Sequence, residues 1–214
     1  MSDAVKNESE SQFWRASAPL ILASKSVGRR LALEQTAIPF VVSPADVDER
    51  ALEAEIVGSG GGADAVVLTL SSAKALALSR RNPESYVVGA DQAASCEGEL
   101  FGKPESLEAA ERQLRRLSGR RHRLHSGFAL ALGGRILFET VAYADLKTRA
   151  LSEEFLAAYL AAMGEAALTS AGAYQIEGIG VHLFERIEGD HWTVLGLPLL
   201  PLLEALRRER ALLG

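Results

Sequence analysis

The chain has 214 residues, of which 48% are hydrophobic and 24% charged, and its formal net charge is −5. This composition is typical of a globular protein with a real core, and the length favours one compact domain. The acidic balance argues against recruitment of nucleic acid or an anionic membrane, and a single cysteine, Cys96, excludes an intrachain disulfide. We therefore expect a cytoplasmic protein with neither nucleic acid nor membrane as a partner.

The N-terminal segment is polar and lacks the apolar core of a signal peptide. No stretch of the chain approaches the ~18 apolar residues that a membrane-spanning helix needs. We expect residues 1–18 to form a disordered or extended tail and residues 19–214 to form a single domain.

Strands and helices alternate along the rest of the chain. Short apolar runs predict strands, and apolar residues at helical spacing predict helices. Two glycines, Gly133 and Gly134, predict a hairpin, and the alternation as a whole predicts a mixed α/β fold. In chain order we predict strand 20–23, helix 29–35, strand 38–42, helix 65–79, strand 86–90, helix 107–117, strands 125–132 and 135–148, helix 152–163, a strand near 181–186, and helix 199–212.

A turn with two serines, Ser24 and Ser26, separates the first strand from a helix that begins with Arg29 and Arg30. Helix N-termini offer free N–H groups, and hydroxyls and cations nearby add to such an anion site. The alternative is a capped helix with solvated arginines, and this segment alone slightly favours the alternative.

Asp91 follows the predicted strand 86–90. In α/β folds, ligands usually bind beyond the carboxyl ends of strands, and a carboxylate there can bind a metal or activate water. An aspartate that caps the following turn explains the same pattern equally well.

Three further charged residues are candidates for an anion or metal site. Lys103 lies between a glycine and a proline, which hold the direction of its side chain. Lys74 lies on the predicted helix 65–79, a position more typical of a solvated lysine. Glu49 follows an acidic stretch and offers a second carboxylate for a metal, although acidic loops without a function are common.

Two other segments invite a functional interpretation. The glycine-rich segment 170–180 can bring backbone N–H groups close to a ligand, although such turns are common. The basic segment 115–125 has the look of a nucleic-acid patch, but it lacks interleaved aromatic residues. We interpret it as a solvated helix end and strand edge.

Taken in order, these segments resemble the Maf family of nucleoside triphosphate pyrophosphatases. The resemblance runs from Leu20 to about Arg208 and depends on seven short blocks in the family's order, each of them weak alone. They include Ser24-Lys-Ser26-Val-Gly-Arg29-Arg30, Val47-Asp-Glu49, Ala73-Lys74-Ala, Gly89-Ala-Asp91-Gln92, Gly102-Lys103-Pro104 and Ala171-Gly172-Ala-Tyr174 with Glu177-Gly178.

The resemblance implies an α/β fold of the Maf and inosine-triphosphatase type, with an elongated mixed sheet, flanking helices and two lobes around a nucleotide cleft. It implies attack of water on the α-phosphorus with a divalent cation, Mg²⁺ or Mn²⁺, and release of pyrophosphate. Asp91 matches the general base or metal-site aspartate, and Glu49 matches the second metal carboxylate. A homodimer is compatible with it. The residues that match phosphate contacts are Ser24, Arg29, Arg30, Lys74 and Lys103.

Within the family, base specificity follows three positions, which here are Gly28, Gln92 and Glu177. Gln92 and Glu177 resemble the 7-methyl-GTP branch, whereas Gly28 matches neither the tryptophan of that branch nor the arginine of the thymidine and uridine branch. Glu177 can accept from the donor edge of guanine, and Gln92 can donate to its O6. We expect guanine-type triphosphates to outrank dTTP and UTP, with a modest 7-methyl advantage because Gly28 offers no stacking surface.

Three alternatives stay open. One is a hydrolase of unusual purine triphosphates with a related fold, and another is a dTTP or UTP pyrophosphatase. The third, from another class, is a nucleotide-binding regulator of septum formation with little turnover. Asp91 and Glu49, together with the cations Arg29, Lys74 and Lys103, argue against an inactive site.

Overall fold

The computed structural model describes residues 12–214, which form a mixed sheet with helices on both faces. The α/β prediction is confirmed. The strands are β1 (Leu20–Ala23), β2 (Phe40–Val42), β3 (Val87–Cys96), β4 (Glu99–Phe101), β5 (Arg121–Leu132), β6 (Arg135–Thr148) and β7 (Phe184–Gly189). The α-helices are α1 (Val27–Glu34), α2 (Glu49–Gly58), α3 (Ala63–Ser79), α4 (Leu107–Leu117), α5 (Glu153–Met163), α6 (His191–Val194) and α7 (Leu199–Arg208). Short 3-10 helices lie at Gly164–Leu168, Ala171–Ala173 and Ile179–Leu183.

Most predicted elements are present within a few residues of their predicted bounds, because their apolar residues follow one clear period. The hairpin between β5 and β6 is confirmed, and both of its glycines adopt positive φ, 56° at Gly133 and 77° at Gly134. Near 181–186 the predicted strand begins late, since Ile179–Leu183 forms a 3-10 helix and β7 follows it.

Beside the site residues, one predicted bound is wrong and one helix was not predicted. The strand predicted for 86–90 does not end before Asp91, because β5 pairs with β3 as far as Ser95. Between the predicted strand 38–42 and the predicted helix 65–79 the chain forms α2, which begins at Glu49 with Asp48 as its N-cap. None of the residues of α2 is buried, so the sequence of α2 shows no apolar stripe from which the helix could be predicted.

The order of the strands leaves a gap in the sheet at β3. The order is β2-β1-β3-β5-β6-β7, with β2, β1 and β3 parallel and the remaining pairs antiparallel. One edge of β3 pairs with β5, so β1 and β4 share the other edge. On that edge β1 pairs only as far as Gly89, and β4 begins at Ala94. Among the described strands, residues 90–93 therefore have no partner on that edge.

Two hydrophobic clusters lie on either side of this gap, which confirms the predicted two-lobe architecture. The first packs α1 and α7 on β1, β3 and β5, and the second packs α4, α5 and the 3-10 segment on β3, β5 and β6. Members of the first include Leu20, Leu22, Leu33, Val88, Phe128, Leu202 and Leu206, and members of the second include Ala94, Phe101, Leu114, Leu124, Leu146, Leu156 and Tyr159.

The predicted tail lies partly outside the described residues, which begin at residue 12. Its described part meets the C-terminal end of the chain. Trp14 forms an isolated bridge with Leu212, and the Arg15 N–H donates to the Ala211 carbonyl at 2.9 Å. None of the helices in residues 12–214 is long and apolar enough to span a membrane.

Candidate active site

A cavity of about 630 Å³ opens at the gap in the sheet, between the two hydrophobic clusters. Its walls come from the turn after β1, the segment that leads into α2, strand β3, the loop after β4, the segment 169–177 and the two residues Val194 and Leu195. The structure brings eight of the predicted site residues to this one cavity: Ser24, Arg29, Glu49, Lys74, Asp91, Gln92, Lys103 and Glu177.

Lys74 bridges the two predicted metal carboxylates. Its ammonium lies 2.7 Å from Asp91 Oδ1 and 3.0 Å from Glu49 Oε2. Lys74 and Asp91 are both buried, with 5% and 6% of their surface exposed. A buried charge requires a partner, so Lys74 is not the solvated lysine that its helical position alone suggests.

Lys74 reaches Asp91 because α3 lies directly on β3. The contact occurs at Gly89, where an added Cβ would lie 2.2 Å from the Ser71 carbonyl oxygen. Only glycine permits this approach of helix backbone to strand backbone. The motif glycine therefore positions the lysine of α3 above the aspartate of β3.

Glu49 is half-buried and faces three cations. Burial opposes its ionisation, but Lys74, Lys103 and Arg29 together hold the pKa of its carboxyl below the usual value. The carboxylate is therefore charged at neutral pH and available as an oxygen ligand.

Arg29 is buried beneath the cavity, and its guanidinium makes three hydrogen bonds. Its Nε donates to the Gly196 carbonyl at 2.9 Å, and one terminal nitrogen donates to Ser24 Oγ and to the Ala90 carbonyl, both at 2.9 Å. Ala90 lies on the open edge of β3, so Arg29 supplies the donor that a neighbouring strand supplies elsewhere. Burial lowers the Arg29 pKa, and Asp91 and Glu49 oppose that shift.

Two predicted residues lie outside the cavity lining. Arg30 faces away on α1, with its Nε 3.7 Å from Glu34 Oε1 in an exposed ion pair. Gly28 lies beside the cavity, and a Cβ added there would lie 3.3 Å from Glu177 Oε1 and 2.8 Å from the Leu195 carbonyl oxygen. The structure thus separates Arg30 from the other phosphate candidates.

Lys103 is an exposed cavity cation, with 58% of its side chain exposed, and its ammonium lies 3.8 Å from Glu49 Oε2. The amide of Gln113 on α4 donates to the Gly102 carbonyl at 3.1 Å and so fixes the loop that carries Lys103.

Sequence reasoning missed Glu53, which lies one helical turn beyond Glu49 on α2. Its carboxylate lies near Gly102, where an added Cβ would be 3.4 Å from Glu53 Oε1. Burial raises the Glu53 pKa, and the charges of Asp91 and Glu49 raise it further. The four-residue spacing from Glu49 is the signal that could have found it, had α2 been predicted.

The oxygens of Asp91 and Glu49 suit a hard divalent cation. Among the described residues, no group of three or more histidines, cysteines and carboxylates has the arrangement of a metal cage. Mg²⁺ commonly binds one or two carboxylates together with substrate phosphates, and that is the donor set available here. The residues therefore fit a cation that enters with its substrate.

The sequence comparisons agree with this site. A model of the family described as Maf-like protein matches residues 19–209. A nucleoside triphosphate pyrophosphatase of Nitrobacter winogradskyi is 50% identical over 92% of this chain and 96% of that one. The 7-methyl-GTP pyrophosphatase of Brucella abortus is 46% identical over 91% and 98%, and that of Rhizobium etli is 49% identical over 88% and 94%.

Among solved structures, the Ham1 protein of Staphylococcus aureus is similar over 61% of this chain and 71% of that chain, at 16% identity and a TM-score of 0.37. That similarity is weak. The family model and the sequence relatives together show that the chain belongs to the Maf family.

Proposed function

We propose that this protein hydrolyses nucleoside triphosphates to the monophosphate and pyrophosphate, with a divalent cation held by Asp91 and Glu49. The observation that carries the proposal is the cavity in which these carboxylates meet the cations Arg29, Lys74 and Lys103. The names of the relatives support the same reaction.

The charges of the cavity suit a triphosphate, which carries roughly four negative charges, since phosphoryl transfer is catalysed chiefly by positioning and charge stabilisation. In the proposed reaction water attacks the α-phosphorus and the bond to the bridging oxygen of pyrophosphate breaks. We assign Asp91 the role of accepting the proton of that water. Lys103, with most of its side chain exposed, can follow the leaving pyrophosphate.

When bound, the divalent cation would polarise the phosphate oxygens and offset their charge. The ion pairs of Lys74 keep both carboxylates oriented toward the cavity before substrate arrives. Asp91 and Glu49 contribute to the raised pKa of Glu53, and a cation bound by those two carboxylates would relieve that repulsion.

For the base we propose a guanine-type ring. Glu177 lines the cavity and is exposed, and an ionised carboxylate accepts from the N1–H and N2–H₂ edge of guanine. Two of the relatives are named 7-methyl-GTP pyrophosphatases. Gly28 gives a methylated base no ring to stack on, so we expect only a modest preference for 7-methyl-GTP over GTP.

The test is pyrophosphate release from 7-methyl-GTP, GTP, dTTP and UTP with Mg²⁺ or Mn²⁺, for the unmodified protein and for Asp91→Asn. We expect turnover of at least one triphosphate, and a loss of about a hundredfold or more in Asp91→Asn, the range for removal of a general base.

The matched control is Asp145→Asn, since Asp145 pairs with Arg123 on the surface and does not line the cavity. It should retain the unmodified rate. A folded Asp91→Asn protein with near-normal turnover would contradict the assignment of Asp91. A nucleotide that binds without any release of pyrophosphate would favour the regulator instead.

A further inference from the structure

The family resemblance implies that Gln92 reads the base, but in this structure its side-chain N–H groups donate to atoms of the protein itself. Its Nε2 lies 2.7 Å from Ser126 Oγ, 3.1 Å from the Val194 carbonyl oxygen and 3.2 Å from the Thr193 carbonyl oxygen. The Ser126 hydroxyl itself donates to the Thr193 carbonyl at 2.7 Å, so it accepts from Gln92.

The chemistry of these partners fixes which end of the amide faces them. Two carbonyl oxygens and an accepting hydroxyl surround the position of Nε2, and an amide oxygen there would face only acceptors. Both hydrogens of Nε2 are therefore engaged. Gln92 has no donor left for the O6 of guanine.

These hydrogen bonds hold the segment 193–196 against the sheet. Gln92 on β3 and Ser126 on β5 hold Thr193 and Val194, while the Nε of Arg29 holds the Gly196 carbonyl at 2.9 Å. Leu195 lies between these anchored carbonyls and lines the cavity.

The anchored segment brings the Leu195 carbonyl against Gly28. A Cβ at position 28 would lie 2.8 Å from that oxygen, closer than a real Cβ approaches backbone. Glu177 Oε1 lies 3.3 Å from the same point. Among the described residues no hydrogen-bond donor is paired with the Leu195 carbonyl oxygen, so two free acceptors lie side by side at Gly28.

We propose that Ser126 and Gln92 are positioning residues that hold the 193–196 backbone against Gly28. The Leu195 carbonyl, so held, reads the donor edge of a guanine-type base together with Glu177. Guanine offers three N–H bonds on that edge, enough for both acceptors, whereas uracil offers one N–H between two carbonyls that the same acceptors repel. The inference rests on the proposed function and names the groups that select its base.

The test compares kcat/KM for GTP and UTP in the unmodified protein, Ser126→Ala, Gln92→Ala and the double variant. Ser126 is fully buried and does not line the cavity, so it cannot touch the base. We expect Ser126→Ala and Gln92→Ala each to lower the GTP:UTP ratio by about fivefold, the worth of one hydrogen bond. The loss should appear in the KM for GTP rather than in kcat, and the double variant should lose little more than either single one.

Gly28→Ala provides a second, independent variant. Its Cβ would push the Leu195 carbonyl away. As a single substitution it should therefore lower the GTP:UTP ratio of kcat/KM, and combined with Gln92→Ala it should lower that ratio little further. The matched control is Ser79→Ala, which removes a fully buried hydroxyl that bonds the Gly134 N–H far from the cavity. Its ratio should not change. Because a ratio of two substrates does not depend on the folded fraction, partial unfolding of a variant does not obscure the result.

The inference fails if Ser126→Ala and Gly28→Ala keep the unmodified ratio while Gln92→Ala loses it, because Gln92 would then read the base directly. It also fails if the unmodified protein prefers UTP. Absence of pyrophosphate release from every triphosphate tested would instead contradict the proposed function, and the inference with it.

Discussion

At the scale of single residues, the role of a charged side chain depends more on the partners that the fold provides than on the sign of its charge. Arg29 and Arg30 are neighbours in one motif, yet Arg29 is buried with three hydrogen bonds and Arg30 forms one exposed ion pair. Removal of the buried Arg29 guanidinium leaves the carbonyl oxygens that it bonds without a donor, which is costly. Removal of Arg30 breaks only a surface ion pair, and such a pair contributes about 1 kcal/mol to stability at most.

We therefore expect Arg29→Ala to lower kcat/KM by more than about tenfold and Arg30→Ala to change it by less than about twofold. The measurement is steady-state hydrolysis of the best triphosphate, with circular dichroism to confirm folding. Arg29→Lys keeps the charge but not the planar fork, so it should recover only part of the loss. Equal losses in the two alanine variants would show that Arg30 also contacts the phosphates.

At the scale of elements, the site depends on how closely α3 approaches β3. Val67 and Gly127 form a second close contact between helix and sheet, since a Cβ at Gly127 would lie 2.5 Å from Val67 Cγ1. Together with the contact at Gly89, it sets the height of Lys74 above Asp91. The packing of two elements thus fixes a distance between two functional atoms.

Gly89→Ala should push α3 away from the sheet and separate Lys74 from Asp91. We expect the free energy of unfolding to fall by about 3 kcal/mol, at the upper end for overpacking, and kcat to fall with it. Urea unfolding and steady-state kinetics measure the two effects. The control is Gly62→Ala at the N-cap of α3, where an added Cβ meets nothing within 4 Å. If Gly89→Ala matched this control, the close approach would not be essential.

At the scale of the whole molecule, the second hydrophobic cluster carries a buried histidine that the proposed reaction does not use. The Nε2 of His122, on β5, lies 2.7 Å from the Tyr174 hydroxyl oxygen, and the imidazole ring packs against Phe184. Burial lowers the His122 pKa to about 4, although the charge of Asp145 opposes that shift. The histidine is therefore neutral in the folded protein at neutral pH.

This predicts an acid sensitivity of the fold. Between pH 6.5 and about 4 the unfolded chain binds a proton at His122 that the folded protein does not bind. Stability from this group is thus complete above pH 6.5 and is lost as the pH falls toward 4, by about 3 kcal/mol in total. Urea unfolding at a series of pH values measures how steeply the free energy of unfolding changes with pH. His122→Gln should make this dependence less steep between pH 6.5 and about 4, whereas the exposed His182→Gln should not. Equal pH dependences in the two variants would contradict the prediction.

Local periodicity was enough to predict most elements, and the family resemblance implied the two lobes and eight residues that line one cavity. Both errors near the site have a physical cause. The strand through Asp91 continues because β5 supplies partners distant in the chain, and α2 forms although it buries no residue that could mark its period. Glu53 was missed because α2, on which it lies, was not predicted.

The sequence by itself determined the family, the fold class and six of the charged residues at the cavity, because short motifs and hydrophobic periods are local properties of the chain. Only the tertiary structure decided what each group does. It buried Lys74 between two carboxylates, turned Arg30 away from the cavity and spent the donors of Gln92 on the backbone at 193–194. Hydrogen bonds and burial join residues that are distant in the chain, and no local pattern records which acceptor a donor will meet.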